Sequence, residues 1–185
     1  MSETTSNNSS KLLILDLDET LIYAADEALE RPPDFTTTDY VVYKRPGLDE
    51  FLEFCSNHFR VAVWTSAGTS YAEQVVSHIF SISYPLDFVW AYPRCTRRYD
   101  GEMMETYYIK NLSKLKRQGY KLEQVLMIDD TPRKLESSYG NLIRIKPWDG
   151  NLSDRELAPL QKYLLKLRDV DNVRTIEKRW WRSSF

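Results

Sequence analysis

The sequence predicts a doubly wound α/β domain, and three observations carry that prediction. The runs Leu12-Leu13-Ile14-Leu15, Val61-Ala62-Val63-Trp64 and Val125-Leu126-Met127-Ile128 have the unbroken hydrophobicity of strands buried on both faces. Segments of helical periodicity lie between such runs, and strands alternating with helices build a parallel sheet. Two of the runs end abruptly in paired acids, Asp16 with Asp18 and Asp129 with Asp130. In open α/β sheets the carboxyl ends of the strands are where ligands bind.

The 185 residues, 42% of them hydrophobic, suffice for one well-filled core and are too few for two large ones. No apolar stretch approaches the roughly 20 residues of a membrane helix, and Met1 to Ser10 is polar where a signal peptide is apolar. A cytoplasmic or nuclear location is expected. Cys55 and Cys95 are too few for a disulfide framework and have no zinc-binding spacing, so neither is assigned a role. The net charge of −2 is unevenly spread: 94–121 holds eight Lys or Arg against three Asp or Glu. That segment is either a face that receives an anion or an ordinary solvated surface.

Along the chain, residues 1–10 read as a disordered lead-in to a domain over 11–173, followed by a basic, tryptophan-containing tail over 174–185. After the first strand, Tyr23 to Asp39 reads as a polar loop broken by Pro32-Pro33, feeding a strand at 40–43. Pro46 opens a helix whose apolar stripe is Leu48, Phe51, Leu52, Cys55 and Phe59. Ser70 with Glu73 has the form of a capping box opening another helix after the strand at 61–64, and strands follow at 88–91, 125–128 and 141–145. Ser153 to Arg168 reads as a helix with its own capping box, Ser153 with Glu156, and a stripe of Leu157, Leu160, Leu164 and Leu167. Residues 94–108 fit neither period, and the turn signal Tyr99-Asp100-Gly101-Glu102 makes them a small β insertion. Trp180 and Trp181 are either a partner-binding tail or aromatics folded onto the domain's own helices. His58 and His78 sit in helical patterns and read as structural.

A parallel sheet brings three strand ends together: Asp16 and Asp18, Thr65 and Ser66, and Asp129 and Asp130, with Lys110 available to complete an anion site. Hard oxygen ligands suit Mg²⁺, which takes one or two carboxylates together with waters and a substrate phosphate. Phosphoryl transfer uses these parts. One carboxylate attacks phosphorus, and a second protonates the leaving oxygen and then deprotonates water. Lys110 and the metal offset charge on the equatorial oxygens, and a hydroxyl of Thr65 or Ser66 holds one of them.

DLDET at 16–20, WTSA at 64–67, Lys110 within YIKNL, and IDDTP at 128–132 resemble, in order, the four motifs of haloacid dehalogenase (HAD) superfamily phosphatases. The branch most similar is the small phosphatases acting on the C-terminal domain of RNA polymerase II, the FCP1-like or NLI-interacting-factor-like family. KRPG at 44–47, LSKL at 112–115 and VDNV at 170–173 extend the resemblance over roughly Lys11 to Val173. It implies the HAD fold, a Rossmann-like doubly wound sheet, here with the β insertion and no separate cap domain. It implies Asp16 as nucleophile and Asp18 as general acid and base, with the Asp18 backbone carbonyl also on Mg²⁺. Thr20 would support the DxDxT geometry, Thr65 and Lys110 would contact the phosphoryl group, Ser66 would assist in binding it, and Asp129 and Asp130 would complete the metal site. Asp130 is a departure, because the polymerase-directed relatives usually carry Asn there. Without a cap the site is open, which favours a phosphoprotein over a metabolite. Arg94, Arg97 and Arg98 lie where the family's recognition insertion falls, and are either specificity residues or surface residues.

The expected activity is a Mg²⁺-dependent Ser/Thr phosphoprotein phosphatase working through an aspartyl-phosphate, acting as a monomer with no direct nucleic-acid or membrane partner. Two alternatives remain at this level. A small-molecule phosphatase or phosphotransferase is disfavoured by the missing cap, and a non-catalytic scaffold on the same fold by the intact Asp16 and Asp18.

Overall fold

The computed structural model describes residues 11–183, so the expected lead-in at 1–10 lies outside the described residues. In chain order the strands and helices are β1 (Leu12–Leu15), β2 (Ile22–Ala25), β3 (Phe35–Thr36), β4 (Val41–Lys44), α1 (Leu48–His58), β5 (Arg60–Trp64), α2 (Thr69–Ile79), β6 (Leu86–Trp90), β7 (Thr96–Asp100), β8 (Glu105–Ile109), α3 (Ser113–Lys116), β9 (Val125–Asp129), β10 (Leu142–Arg144) and α4 (Leu157–Arg168). Short 3₁₀ segments connect several of them.

Five strands form a parallel sheet in the order β10-β9-β1-β5-β6. All four residues of β1 are buried, and they alternate: Leu13 and Leu15 enter the core under α1, α2 and α4, while Leu12 and Ile14 enter the one under α3 and the 3₁₀ segments. That alternation explains the unbroken apolar run, since a strand covered on both faces has no solvent side. The chain winds from β1 to β5 and β6 on one side, then resumes with β9 and β10 on the other, so strand order reverses between β1 and β9. Leu15 lies level with Val63 and with Ile128, which makes Asp16 and Asp129 leave the sheet side by side. The Asp16 N–H donates to the Ile128 carbonyl at 3.1 Å, extending the ladder to the acid itself.

Several local expectations require correction. Residues 23–39 are not simply a loop: β2 and β3 flank β4 in a three-stranded antiparallel sheet. The Tyr43 hydroxyl accepts from the Leu29 N–H at 2.8 Å and donates to the Arg31 carbonyl at 3.2 Å, with the Arg31 guanidinium over its ring. A distant tyrosine thus orders a segment whose composition reads as loop. α1 begins at Leu48 rather than Pro46, after Gly47 at φ 79, a left-handed conformation that glycine adopts at no steric cost. Neither capping box forms: Ser70 is inside α2, which starts from Gly68, and α4 starts at Leu157. Asp154 is instead drawn into a bidentate pair with the buried Arg45, Nε to Oδ1 and Nη2 to Oδ2, both at 2.8 Å.

The two tail tryptophans divide. Trp181 is fully buried, stacks on Tyr163 and donates to the Arg144 carbonyl at 2.9 Å, whereas Trp180 is 71% exposed. His58 lies against Phe54, and His78 stacks on Phe35. Among the described residues no helix is long and apolar enough to cross a membrane.

Candidate active site

The site is built on the ends of β1 and β9 at the reversal of strand order. Lys110, the residue after β8, is fully buried, and its Nζ donates to Asp16 Oδ1 and Asp129 Oδ2, each at 2.6 Å. Burying an ammonium is costly unless charge and hydrogen bonds satisfy it, and two carboxylates do so here. Their other oxygens face a second ammonium, that of Lys134, at 3.6 Å from Asp16 Oδ2 and 3.9 Å from Asp129 Oδ1. Lys134 was not among the residues expected from the sequence. It sits on a 3₁₀ run starting at Pro132, and its carbonyl accepts from the Lys110 N–H at 2.7 Å.

Asp18 is two residues beyond Asp16 and points elsewhere. The Tyr71 hydroxyl of α2 donates to Asp18 Oδ1 at 2.6 Å, and the Thr65 hydroxyl lies 3.5 Å from its Oδ2. Thr65 in turn accepts from the Ala67 N–H at 3.0 Å, which fixes its side chain over the loop after β5. The turn after Asp18 holds Glu19 at φ 56, left-handed for a non-glycine residue, a strained geometry held by the surroundings. Arg45 braces it by donating to the Thr20 carbonyl at 2.9 Å while paired with Asp154. Thr20 is buried with its hydroxyl 3.5 Å from Asp16 Oδ2.

These surroundings separate the two acids. Burial works to raise the Asp16 pKa, but the adjacent Lys110 and Lys134 ammoniums outweigh it and hold the carboxyl below its ordinary value. For Asp18 burial dominates and raises the pKa, with Asp16 adding repulsion and Tyr71 opposing. Asp129 is also raised, first by burial and then by Asp16.

Oxygens of Asp16, Asp129 and Asp130 converge to within 4.8 Å of one another, a spacing that suits a small divalent ion. Asp130 Oδ2 accepts from the Thr131 hydroxyl at 2.8 Å, but Oδ1 is buried with no hydrogen-bond partner. A buried carboxylate oxygen without a hydrogen bond, set among other acids, fits an oxygen-seeking cation such as Mg²⁺. Both oxygens of Asp129 are already engaged, by Lys110 and by the Thr131 N–H.

The remaining expected residues lie outside this cluster. The Ser66 hydroxyl is buried near the Cys95 thiol and makes no hydrogen bond to the four carboxylates. Arg94 is exposed, with its guanidinium over the Trp90 ring. Arg97 and Arg98 are consecutive on β7 of the β7–β8 hairpin and project to opposite faces. Arg97 shares its face with Tyr108, whose ring meets Tyr92. The other face is clamped by Arg133, which pairs with Asp100 and Glu105 and lies over Tyr107. A cleft of about 680 Å³ opens beside Asp18, lined by Ala24, Tyr40, Ala67, Gly68 and Tyr71.

Residues 11–174 match the family model described as NLI interacting factor-like phosphatase. The chain belongs to that family. It is 35% identical over 172 residues to CTD small phosphatase-like protein 2 of Dictyostelium discoideum, covering 88% of this chain and 28% of that protein. It is 30% identical to CTD nuclear envelope phosphatase 1B of Danio rerio, covering 94% of this chain and 73% of the relative. Among solved structures, the RNA polymerase II CTD phosphatase Fcp1 of fission yeast superposes with a TM-score of 0.58 at 21% identity, over 88% of this chain and 51% of that one. That likeness establishes the shared HAD fold. The chain spans between about a quarter and a half of the length of the first curated relatives it matches.

Proposed function

We propose that this chain is a Mg²⁺-dependent phosphoserine or phosphothreonine protein phosphatase that forms an aspartyl-phosphate on Asp16. The observation that carries the reading is the bridge from Lys110 to Asp16 and Asp129, 2.6 Å to each, with Asp18 held just outside it by Tyr71. Asp16, ionised and oriented by Lys110, attacks phosphorus with a carboxylate oxygen. Asp18, whose raised pKa favours its acid form, gives its proton to the leaving oxygen. The resulting Asp18 carboxylate then takes a proton from water as that water attacks the acyl phosphate, and Asp16 is regenerated. Lys110 offsets negative charge through both half-reactions, and the Thr65 hydroxyl is placed to hold a phosphoryl oxygen.

Asp16, Asp130 and the Asp18 backbone carbonyl are the groups we assign to Mg²⁺, with Asp129 holding Lys110 in place. The bound ion would supply further positive charge beside the nucleophile and the phosphoryl group. Two observations favour a protein substrate: the cleft beside Asp18 is open, and neither the β2–β4 sheet nor the β7–β8 hairpin builds a cap with its own core. The names of the relatives, CTD and nuclear-envelope phosphatases, agree with this reading and with a nuclear setting. The test is hydrolysis of an aryl phosphate with and without Mg²⁺, by the native protein and by Asp16→Asn. Activity should require the ion and fall roughly a thousandfold or more in the variant. Retained turnover in Asp16→Asn would refute the mechanism, and faster turnover of phosphometabolites than of phosphopeptides would refute the substrate class.

A further inference from the structure

Lys134 offsets part of the negative charge that Lys110 leaves at the strand ends. Three carboxylates meet there, those of Asp16, Asp129 and Asp130, and Lys110 bonds only Asp16 and Asp129. Lys134 places its Nζ over the oxygens that Lys110 does not use, 3.6 Å from Asp16 Oδ2, 3.9 Å from Asp129 Oδ1 and 3.8 Å from Asp130 Oδ1. All three distances exceed ordinary hydrogen-bond lengths, so the ammonium is centred over three carboxylates without being committed to one. These are the same three residues whose oxygens converge within 4.8 Å, and Asp130 Oδ1 is the buried oxygen that has no hydrogen-bond partner.

The backbone of Lys134 is tied on both sides. Its N–H donates to the Thr131 carbonyl at 3.0 Å and its own carbonyl takes the Lys110 N–H at 2.7 Å. The side chain is 23% exposed, unlike that of Lys110, which is fully buried. A flexible four-carbon stem on a fixed anchor can therefore withdraw toward solvent, whereas Lys110 has nowhere to go.

We propose that Lys134 is a displaceable counter-cation, whose ammonium steadies the acidic cluster when no divalent ion is bound and competes with that ion for the same carboxylate face. The inference rests on the metal-dependent reading above and deepens it, by assigning the threshold of metal occupancy to a residue of this chain. With Lys134 in place the cluster of three carboxylates, Asp16, Asp129 and Asp130, and two ammoniums carries one uncompensated negative charge. Without it there are two, with Lys110 the single cation left. A divalent ion brings twice the charge of the ammonium and binds oxygen directly, so it prevails once concentrated enough.

Binding of Mn²⁺, an oxygen-seeking stand-in for Mg²⁺, reads this without catalysis, through loss of the free-ion electron paramagnetic resonance signal. Lys134→Gln should bind Mn²⁺ roughly tenfold more tightly than the native protein, because a like charge has been removed from beside the ion. Lys134→Arg, which keeps the charge, should bind as the native protein does or more weakly. Without metal, Lys134→Gln should melt below the native protein, and saturating Mn²⁺ should raise its melting temperature more. Equal or weaker Mn²⁺ binding by Lys134→Gln overturns the inference and leaves the metal-dependent reading standing. Absence of Mn²⁺ binding by both proteins overturns the two together.

Discussion

Asp16 and Asp18 stand two residues apart, yet their neighbours push their proton affinities in opposite directions. Two ammoniums face Asp16, whereas Asp18 has a tyrosine hydroxyl and a nearby like charge. Titratable groups separated in this way are suited to nucleophile and acid roles in one site. The pH dependence follows with its sign. As pH rises through the raised Asp18 pKa the acid form is lost and kcat/KM for an aryl phosphate falls, while the limb set by Asp16 lies below the ordinary carboxylate range. Asp18→Asn should lower turnover by about 10²–10⁴-fold and abolish the descending limb, as measured by a pH–rate profile of both proteins. The acids and Lys110 were legible in the sequence because strand-end carboxylates and a companion lysine are distinctive residue types. Tyr71 and Lys134 were not singled out, and Arg45 entered only within the KRPG stretch at 44–47. Each reaches the site from a helix, turn or loop whose direction only the folded chain sets, so residue type alone does not place it there.

At the scale of elements, the hairpin of β7 and β8 gives its two arginines different surroundings. Arg97 faces the side with Tyr92 and Tyr108, and Tyr92 is joined to the loop after β5 through the Ala67 carbonyl. Arg98 faces the side where Arg133 already pairs with Asp100 and Glu105. Arg97→Ala should therefore raise KM for phosphopeptides several-fold with little change for an aryl phosphate, and Arg98→Ala should have the smaller effect. Steady-state kinetics of both variants on both substrates check this, and equal effects on the two substrates would remove the hairpin from recognition. Among the elements, β1, β5 and β9 were readable because burial on both faces leaves an unbroken apolar run. β2 and β3 were not, because their register depends on Tyr43 and Arg31 rather than on their own pattern. The box at Ser153 misled for a related reason: a pairing over 109 residues of chain, Arg45 with Asp154, outweighs a local cap.

At the scale of the molecule, the tail closes the core. Trp181 fills space between α4 and the end of β10, and Trp180, its neighbour, projects into solvent. Trp181→Ala should cost about 3–5 kcal/mol of stability and Trp180→Ala no more than about 0.5 kcal/mol, as measured by denaturant unfolding. The expectation of a doubly wound sheet rested on the alternation of strands and helices, which fixes architecture well. It says nothing about where an individual aromatic lands. The hydrogen bond from the Asp16 N–H to the Ile128 carbonyl has a dynamic meaning as well. It sets the attacking group on the central ladder, the part of such a fold that opens only when the whole domain unfolds. Asp18 and its turn lie just past that ladder, where excursions are cheaper. The nucleophile is thereby kept still, and the motion that a proton shuttle and an arriving substrate require is left to the residues around it.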